Sequence, residues 1–551
     1  MHMIPPATAV TKYALLPDGP QRLAATFAAG RTANKSVRQS AEVWLASTSH
    51  GVGGLDPAMK ALAWAHILPD LASKIEPTVW QGLCDKLVAL SNEASKIDLL
   101  ERPLAHQLLG GELSWTLAAR LTDSRLAGRL AKSGRSAFGL ALNELLDRDG
   151  MLPAAHLALV RPLLACWTRG RTLAQSLPNG GWGARSEQRY QRFVQTAMRL
   201  MRPDGRPTFC ISDTEPWGRE LFDAALADRS HEINHQIAKL ALPTAKASTG
   251  KKAKKAKKGA GLPSPAVHCE KAGVAVLRPD WLRDGERLTV LFTGETCRIE
   301  LACSGQVALS GEWNFEVARR GAVLRPVSSW ESSCWHCDDD VDYLELEITL
   351  EGGVRMERQI ALARRDHFLL LADAVLSNEP NDLAYRGTLP LMPGVEFAPS
   401  ADTNEAYLTH RKAKSDRAAS GRPIAQILPL ALPEWRTETR AGELSAESHL
   451  LHLRQSSDGR RIFAPLFIDL DRSRFRRRMT WRQVHVAESL TNLPADVAAG
   501  YRVAIGGEQW LIYRSLAAKS NRTLLGHNLS TESLVARFGS DGEITPIVEI
   551  E

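Results

Sequence analysis

Leu344-Glu345-Leu346-Glu347-Ile348-Thr349-Leu350 alternates apolar with other residues, which puts its apolar side chains on one face of an extended strand. The same alternation begins near Val267, is plain in Leu288, Val290 and Phe292, and runs to the end of the chain. Before Leu242 the spacing is different. Leu71, Ile75, Val79, Leu83 and Leu87 stand four apart and share one face of a helix. The chain therefore reads as a multi-domain α + β protein, helices first and a large antiparallel β region second.

At 551 residues the chain exceeds what one core supports, so two to four domains of roughly 100–200 residues are expected. Its 44% hydrophobic and 24% charged residues exclude wholesale disorder, a collagen-like chain and a coiled coil. The formal charge is +7, but six lysines lie between Lys251 and Lys258, and without them the net charge is about +1. That balance gives no general case for nucleic-acid binding. Eight cysteines in a chain of this length do not make a disulfide framework, and a reduced compartment is expected. No window of about 20 apolar residues and no signal-peptide pattern stands out, so the expected location is cytoplasmic.

Prolines punctuate the first half, from Pro57 and Pro69 to Pro203 and Pro216. They favour many helix starts and ends over one long rod. Helices are expected near 20–29, 36–47, 57–68, 78–95, 98–120, 125–147, 154–176, 186–202 and 217–241, as helical hairpins of a bundle or an α/α toroid over residues 1–242. Residues 243–265 are rich in Ala, Lys, Gly, Ser and Pro and read as a flexible tether. Residues 266–551 carry eighteen short strand candidates with turn signals such as Gly352-Gly353 and Asp458-Gly459. These predict a large antiparallel β-sandwich of two stacked sheets.

Several local stretches carry a family likeness. Arg189-Tyr190-Gln191-Arg192-Phe193 leads to Met198-Arg199-Leu200-Met201-Arg202-Pro203-Asp204-Gly205, a helix running into an Asp-Gly turn. Val354-Arg355-Met356-Glu357-Arg358-Gln359-Ile360 precedes Asp366-His367-Phe368-Leu369-Leu370-Leu371-Ala372-Asp373, which reads as paired strands. With the helices-then-strands order, these segments resemble the heparinase II/III-like polysaccharide lyases. The resemblance implies a helical toroid, a β-sandwich and β-elimination at a uronic acid. Such a reaction needs a clamp for the sugar carboxylate, a base for the C5 proton and an acid for the leaving oxygen.

Mapped onto this sequence, the resemblance implies His106, His156 and Tyr190 as acid/base candidates. Arg102, Glu112, Trp182 and Arg185 are the implied substrate contacts. The pattern departs from the family's: His106 and Glu112 are six apart without the family's Asn, no Tyr adjoins His156, and Cys303-Ser304-Gly305-Gln306-Val307 contains no His. Residues six apart lie on different sides of a helix, so Gly110 and Gly111 are expected to bend the chain between them. Arg185, Arg189 and Arg192 are expected to favour the Tyr190 phenolate. Each candidate has a plain alternative: His106 and His156 as packing residues, Tyr190 as a surface stacking partner, and Trp182 as a loop anchor. Trp281, Trp313, Trp330 and Trp335 read either as lining for a sugar groove or as core.

No cofactor is expected. Cys334, His336 and Cys337 could supply part of a metal site, but one Cys-x-x-Cys is half of a tetrahedral set. The implied partner is an acidic polysaccharide or oligosaccharide. The two functional readings are a lyase acting on a uronate-containing polymer and a non-catalytic carbohydrate-binding or assembly protein that keeps the fold.

Overall fold

A computed structural model describes residues 12–29, 34–47, 54–121, 124–177, 181–210, 216–227, 231–243, 261–379, 382–410, 421–436 and 442–551. Of the expected tether, residues 244–260 lie outside the described residues. The chain divides into two compact units, Met1–Met201 with Gly205–Gly259, and Ala260–Glu551 with Arg202–Asp204.

The first unit is helical. Its helices include Gly19–Ala29, Leu55–Leu71, Pro77–Glu93, Ser124–Glu144, Val160–Ala174 and Ala184–Arg199. Pro77 and Pro103 each open a helix, where the missing N–H costs nothing. The expected helix 98–120 is a rod in three pieces: Pro103–His106, a π turn over Gln107–Leu113, and Ser114–Arg120. Close packing explains the glycines here. A Cβ on Gly111 would come within 2.9 Å of the Phe138 ring, on Gly170 within 2.6 Å of that ring, and on Gly134 within 2.3 Å of Trp115. The expected helix 217–241 is two helices, Arg219–Leu226 and Glu232–Ala241.

The second unit is antiparallel throughout and has more layers than the sequence suggests. Among the described residues it holds an eight-stranded sheet, three five-stranded sheets and one of four strands. Leu344, Leu346, Ile348 and Leu350 enter one core, whereas Val341 and Tyr343 of the same strand enter another. Leu369 and Leu371 likewise face the first core, and Phe368 and Leu370 the second. The eight-stranded sheet is thus buried on both faces, and the two-sheet expectation is corrected to three layers. Alternation is blurred in a strand with two apolar faces, as in Phe368–Leu376.

The two segments quoted above for their likeness do pair, Arg358 standing opposite Asp373. Arg358 also clasps Asp373 through Nε and Nη2 at 2.8 and 3.0 Å, and the Tyr385 hydroxyl donates to the same carboxylate at 2.6 Å. The guanidinium lies 3.7 Å from the Trp313 ring centre and 4.7 Å from that of Trp330. Both tryptophans are buried, as is Trp281, and half-buried Trp335 stacks on His268. These four serve packing in place of a sugar groove.

Candidate functional site

The site residues named from the sequence separate into a sealed group and an accessible group. In the sealed group, Glu112 is fully buried in the π turn and grips Arg169 at 2.6 and 2.8 Å. Arg169 Nη1 in turn donates to the Leu16 carbonyl at 2.7 Å. A carboxylate buried in this way is out of reach of a sugar hydroxyl. The two glycines do not bring Glu112 to His106; Gly111 admits Phe138, Gly110 packs against Ala94 and Ala137, and each of the polar pair finds a different partner.

Tyr190, on the helix Ala184–Arg199, is fully buried, and its hydroxyl shares a 2.8 Å hydrogen bond with Thr168. Burial pushes the phenol well above its ordinary range, the reverse of the phenolate expected from neighbouring arginines. Two of those arginines are spent on backbone: Arg189 donates to the carbonyls of Leu146 and Asp147 at 2.6 and 2.8 Å, and Arg192 to that of Arg148. The Arg171 guanidinium lies 5.6 Å from the ring centre, and desolvation outweighs it. Trp182 is also core. Its indole N–H donates to Glu187 at 2.8 Å, and the ring packs against Trp115, Phe138 and Tyr190. Pro178–Gly180 of its loop lie outside the described residues.

His106 stands between the groups. It is buried, and burial lowers its pKa, so the ring is neutral near pH 7. Gln107 fixes its tautomer. The Gln107 amide nitrogen meets the Ala137 carbonyl at 3.0 Å and His106 Nδ1 at 2.9 Å, while its oxygen accepts from Trp167 Nε1 at 2.9 Å. A carbonyl on one side and an indole N–H on the other leave the amide one orientation, so Nδ1 accepts and the ring proton sits on Nε2. In that form His106 presents a hydrogen-bond donor, and its lone pair is already engaged.

The accessible group is Arg102, His156 and Arg185. Arg102 and Arg185 are exposed and His156 is half-buried. The structure brings two of them together: His156 Nε2 bonds the Leu100 carbonyl at 2.7 Å, two residues from Arg102, and the Arg102 carbonyl accepts from the His106 N–H at 3.1 Å. Arg185 is in the first turn of the helix Ala184–Arg199. One group was missed. His66 is buried with neither ring nitrogen hydrogen-bonded, and burial with the charges of Arg120 and Arg169 lowers its pKa to about 4. Its neighbours Ala65 and Ile67 are apolar, so the sequence marks it as an ordinary core position.

Cys334 and Cys337 lie on one strand with opposite partners. Cys334 packs on an apolar core, and Cys337 accepts from Arg364 at 3.1 Å, its thiol pushed up to about 11 mainly by burial. Among the described residues, Glu345, Glu357 and Glu532 come close enough to one another to hold a metal ion. Arg514 already contacts all three, so the residues present fit a guanidinium better than an ion. Among the described residues no helix is long and apolar enough to cross a membrane.

A helical region followed by a large antiparallel sheet region is the architecture of the heparinase-like polysaccharide lyases. The particular likeness is to heparinase III: one solved structure superposes with a TM-score of 0.54 at 10% identity, covering 90% of this chain and 82% of that one. Another heparinase III structure gives 0.54 at 11% identity over 90% and 84% of the two chains. Heparan sulfate lyase HepC from Pedobacter heparinus gives 0.52 at 12% identity over 91% and 82%. At such identities the likeness is one of fold. No family model and no curated protein sequence matches the chain.

Proposed function

We propose that this chain binds an acidic, uronate-containing polysaccharide on a heparinase-type fold, with Arg102, His156 and Arg185 as contacts and no acid/base role for Tyr190. The polymer class is supported by the likeness to heparan sulfate lyases across about nine-tenths of the chain. The observation that carries binding over cleavage is the sealed Tyr190 hydroxyl, bonded to Thr168 and pushed toward its neutral form. A general acid must reach the leaving oxygen directly or through one water. In the same reading the helices of residues 1–242 are hairpins of an α/α toroid, 243–265 tether it, and 266–551 form the sandwich domain.

A second reading, β-elimination, is favoured by the likeness to heparan sulfate lyases. Titration of the full chain with heparan sulfate and with a neutral dextran, followed by ultraviolet absorbance for an unsaturated uronate, separates the two. Binding to heparan sulfate alone, without new absorbance, is the expected result. Absorbance that grows with time and disappears in Tyr190→Phe would establish the lyase reading. Equal affinity for both polymers would overturn the choice of an acidic ligand.

A further inference from the structure

The second unit carries a basic surface in the segment that ends on its strand Met479–Val484. Residues 472–482 contain six arginines, Arg472, Arg474, Arg476, Arg477, Arg478 and Arg482. Two are accounted for by carboxylates: Arg474 is buried against Asp469 and Glu508, and Arg477 reaches Glu508 at 3.1 Å. Arg478 and Arg482 are exposed, and among the described residues neither guanidinium has a hydrogen-bond or ion-pair partner. Arg478 immediately precedes the strand Met479–Val484, which contains Arg482 and forms the edge of its sheet. Trp481 points into the core, so Arg478, Thr480 and Arg482 share the opposite face, with the two arginines roughly 13 Å apart along the strand.

This face has an uncompensated charge. Arg482 stands directly opposite Arg502 on the next strand, an arrangement of like charges that destabilises a sheet. Arg502 is held by the Gln509 side-chain oxygen, a neutral acceptor at 2.7 Å from Nε. Nothing negative in this pair of strands offsets the two guanidinium groups.

An aromatic platform adjoins the row. Trp435 is 57% exposed, the only aromatic among the exposed large hydrophobic side chains of the described residues. Its loop is nonetheless braced. Asn404 donates to the Pro433 carbonyl at 2.8 Å, Arg436 Nε to the Thr403 carbonyl at 2.8 Å, and Trp481 Nε1 to the Leu432 carbonyl at 2.9 Å. Thr480, between the two free arginines, donates to the Glu434 carboxylate, which ties the loop to the row. A large apolar ring held in water on a rigid loop loses little entropy when a ligand covers it.

We propose that Trp435, Arg436, Arg478, Arg482 and Arg502 form a binding subsite for an anionic glycan, deepening the acidic-polysaccharide reading on which this rests. Trp435 stacks on the C–H face of a pyranose, and the arginines meet successive carboxylate or sulfate groups along the chain. Forked guanidinium groups suit both anions. Charges spaced along a strand suit a polymer over a single small anion.

The test is the affinity of the full chain for immobilised heparin oligosaccharides, measured at several salt concentrations. Arg478→Gln with Arg482→Gln should lower affinity about tenfold and reduce the slope of log affinity against log salt by about two, one for each lost charge contact. Trp435→Ala should cost about tenfold with the slope unchanged, and Trp435→Phe should recover part of the loss. All these side chains are exposed, so the melting temperature should match the wild type and serve as the folding control. Wild-type binding that neither variant weakens overturns the subsite and leaves the polysaccharide reading intact. No binding of any acidic glycan by the wild type overturns both. Tighter binding of a single-stranded oligonucleotide than of heparin, weakened by the same substitutions, assigns the surface to nucleic acid and overturns the proposal.

Discussion

The pocket-like chemistry of Glu112, Trp182 and Tyr190 in the helical unit and the Trp435–Arg482 surface of the sheet unit hold the same kinds of side chain under opposite conditions. In the first, Arg169 meets Glu112 away from water and Tyr190 meets Thr168. In the second, Arg478, Arg482 and Trp435 stand in solvent. The residue types that suggest a sugar site are the same in both. What separates them is whether their hydrogen-bonding capacity is already used, because a spent donor or acceptor stabilises the fold and an unspent one is available to a ligand.

The hardest way to break this contrast is to open the sealed side. Glu112→Ala leaves Arg169 charged and buried without its carboxylate, and should destabilise the protein by about 3–5 kcal/mol. Denaturant unfolding measures it, and a change below about 1 kcal/mol would place the pair in water.

Acid offers a gentler probe. His66 has a folded pKa of about 4, below its unfolded value near 6.5. Protonation therefore favours the unfolded chain. The stability associated with keeping this ring neutral is fully present above pH 6.5 and is lost as pH falls toward 4, by roughly 3 kcal/mol in all. Unfolding curves between pH 7 and 4.5 should show that loss, and His66→Leu should flatten it. An unchanged slope in the variant would assign the acid sensitivity to other groups.

The smallest effect sharpens the comparison most. Tyr190→Phe removes one buried hydrogen bond and should cost about 1 kcal/mol of stability, with glycan affinity unaltered. A loss of affinity without loss of stability would return Tyr190 to the ligand.

The order of the two units was legible because periodicity reports directly on which faces of an element are covered. Leu71 to Leu87 and Leu344 to Leu350 each needed only one buried face to be recognised. The third layer was not legible, since a strand such as Phe368–Leu376, buried on both sides, has no polar face to mark its neighbours. The candidate site was less legible for a related reason. Local sequence placed arginines beside Tyr190, but Arg189 and Arg192 turn to the carbonyls of residues 146–148, a long-range choice that no window of sequence records. Arg482 opposite Arg502 is equally a fact of register.

The π turn over Gln107–Leu113 has a bearing on how this chain tolerates insertion and deletion. A π turn holds one residue more than the α-helix can accommodate. Deleting Gly110 would let the rod from Pro103 to Arg120 close as uninterrupted α-helix, at little cost to its own hydrogen bonds. The π turn and the α turn that would replace it close the same angle, so the rod on either side would keep its phase and the deletion would act only within the turn. Glu112 lies in that turn and grips Arg169, so its clasp would be disturbed while Trp115 and the residues after it keep their places. One codon therefore adjusts a single buried ion pair without rephasing the helix that carries it.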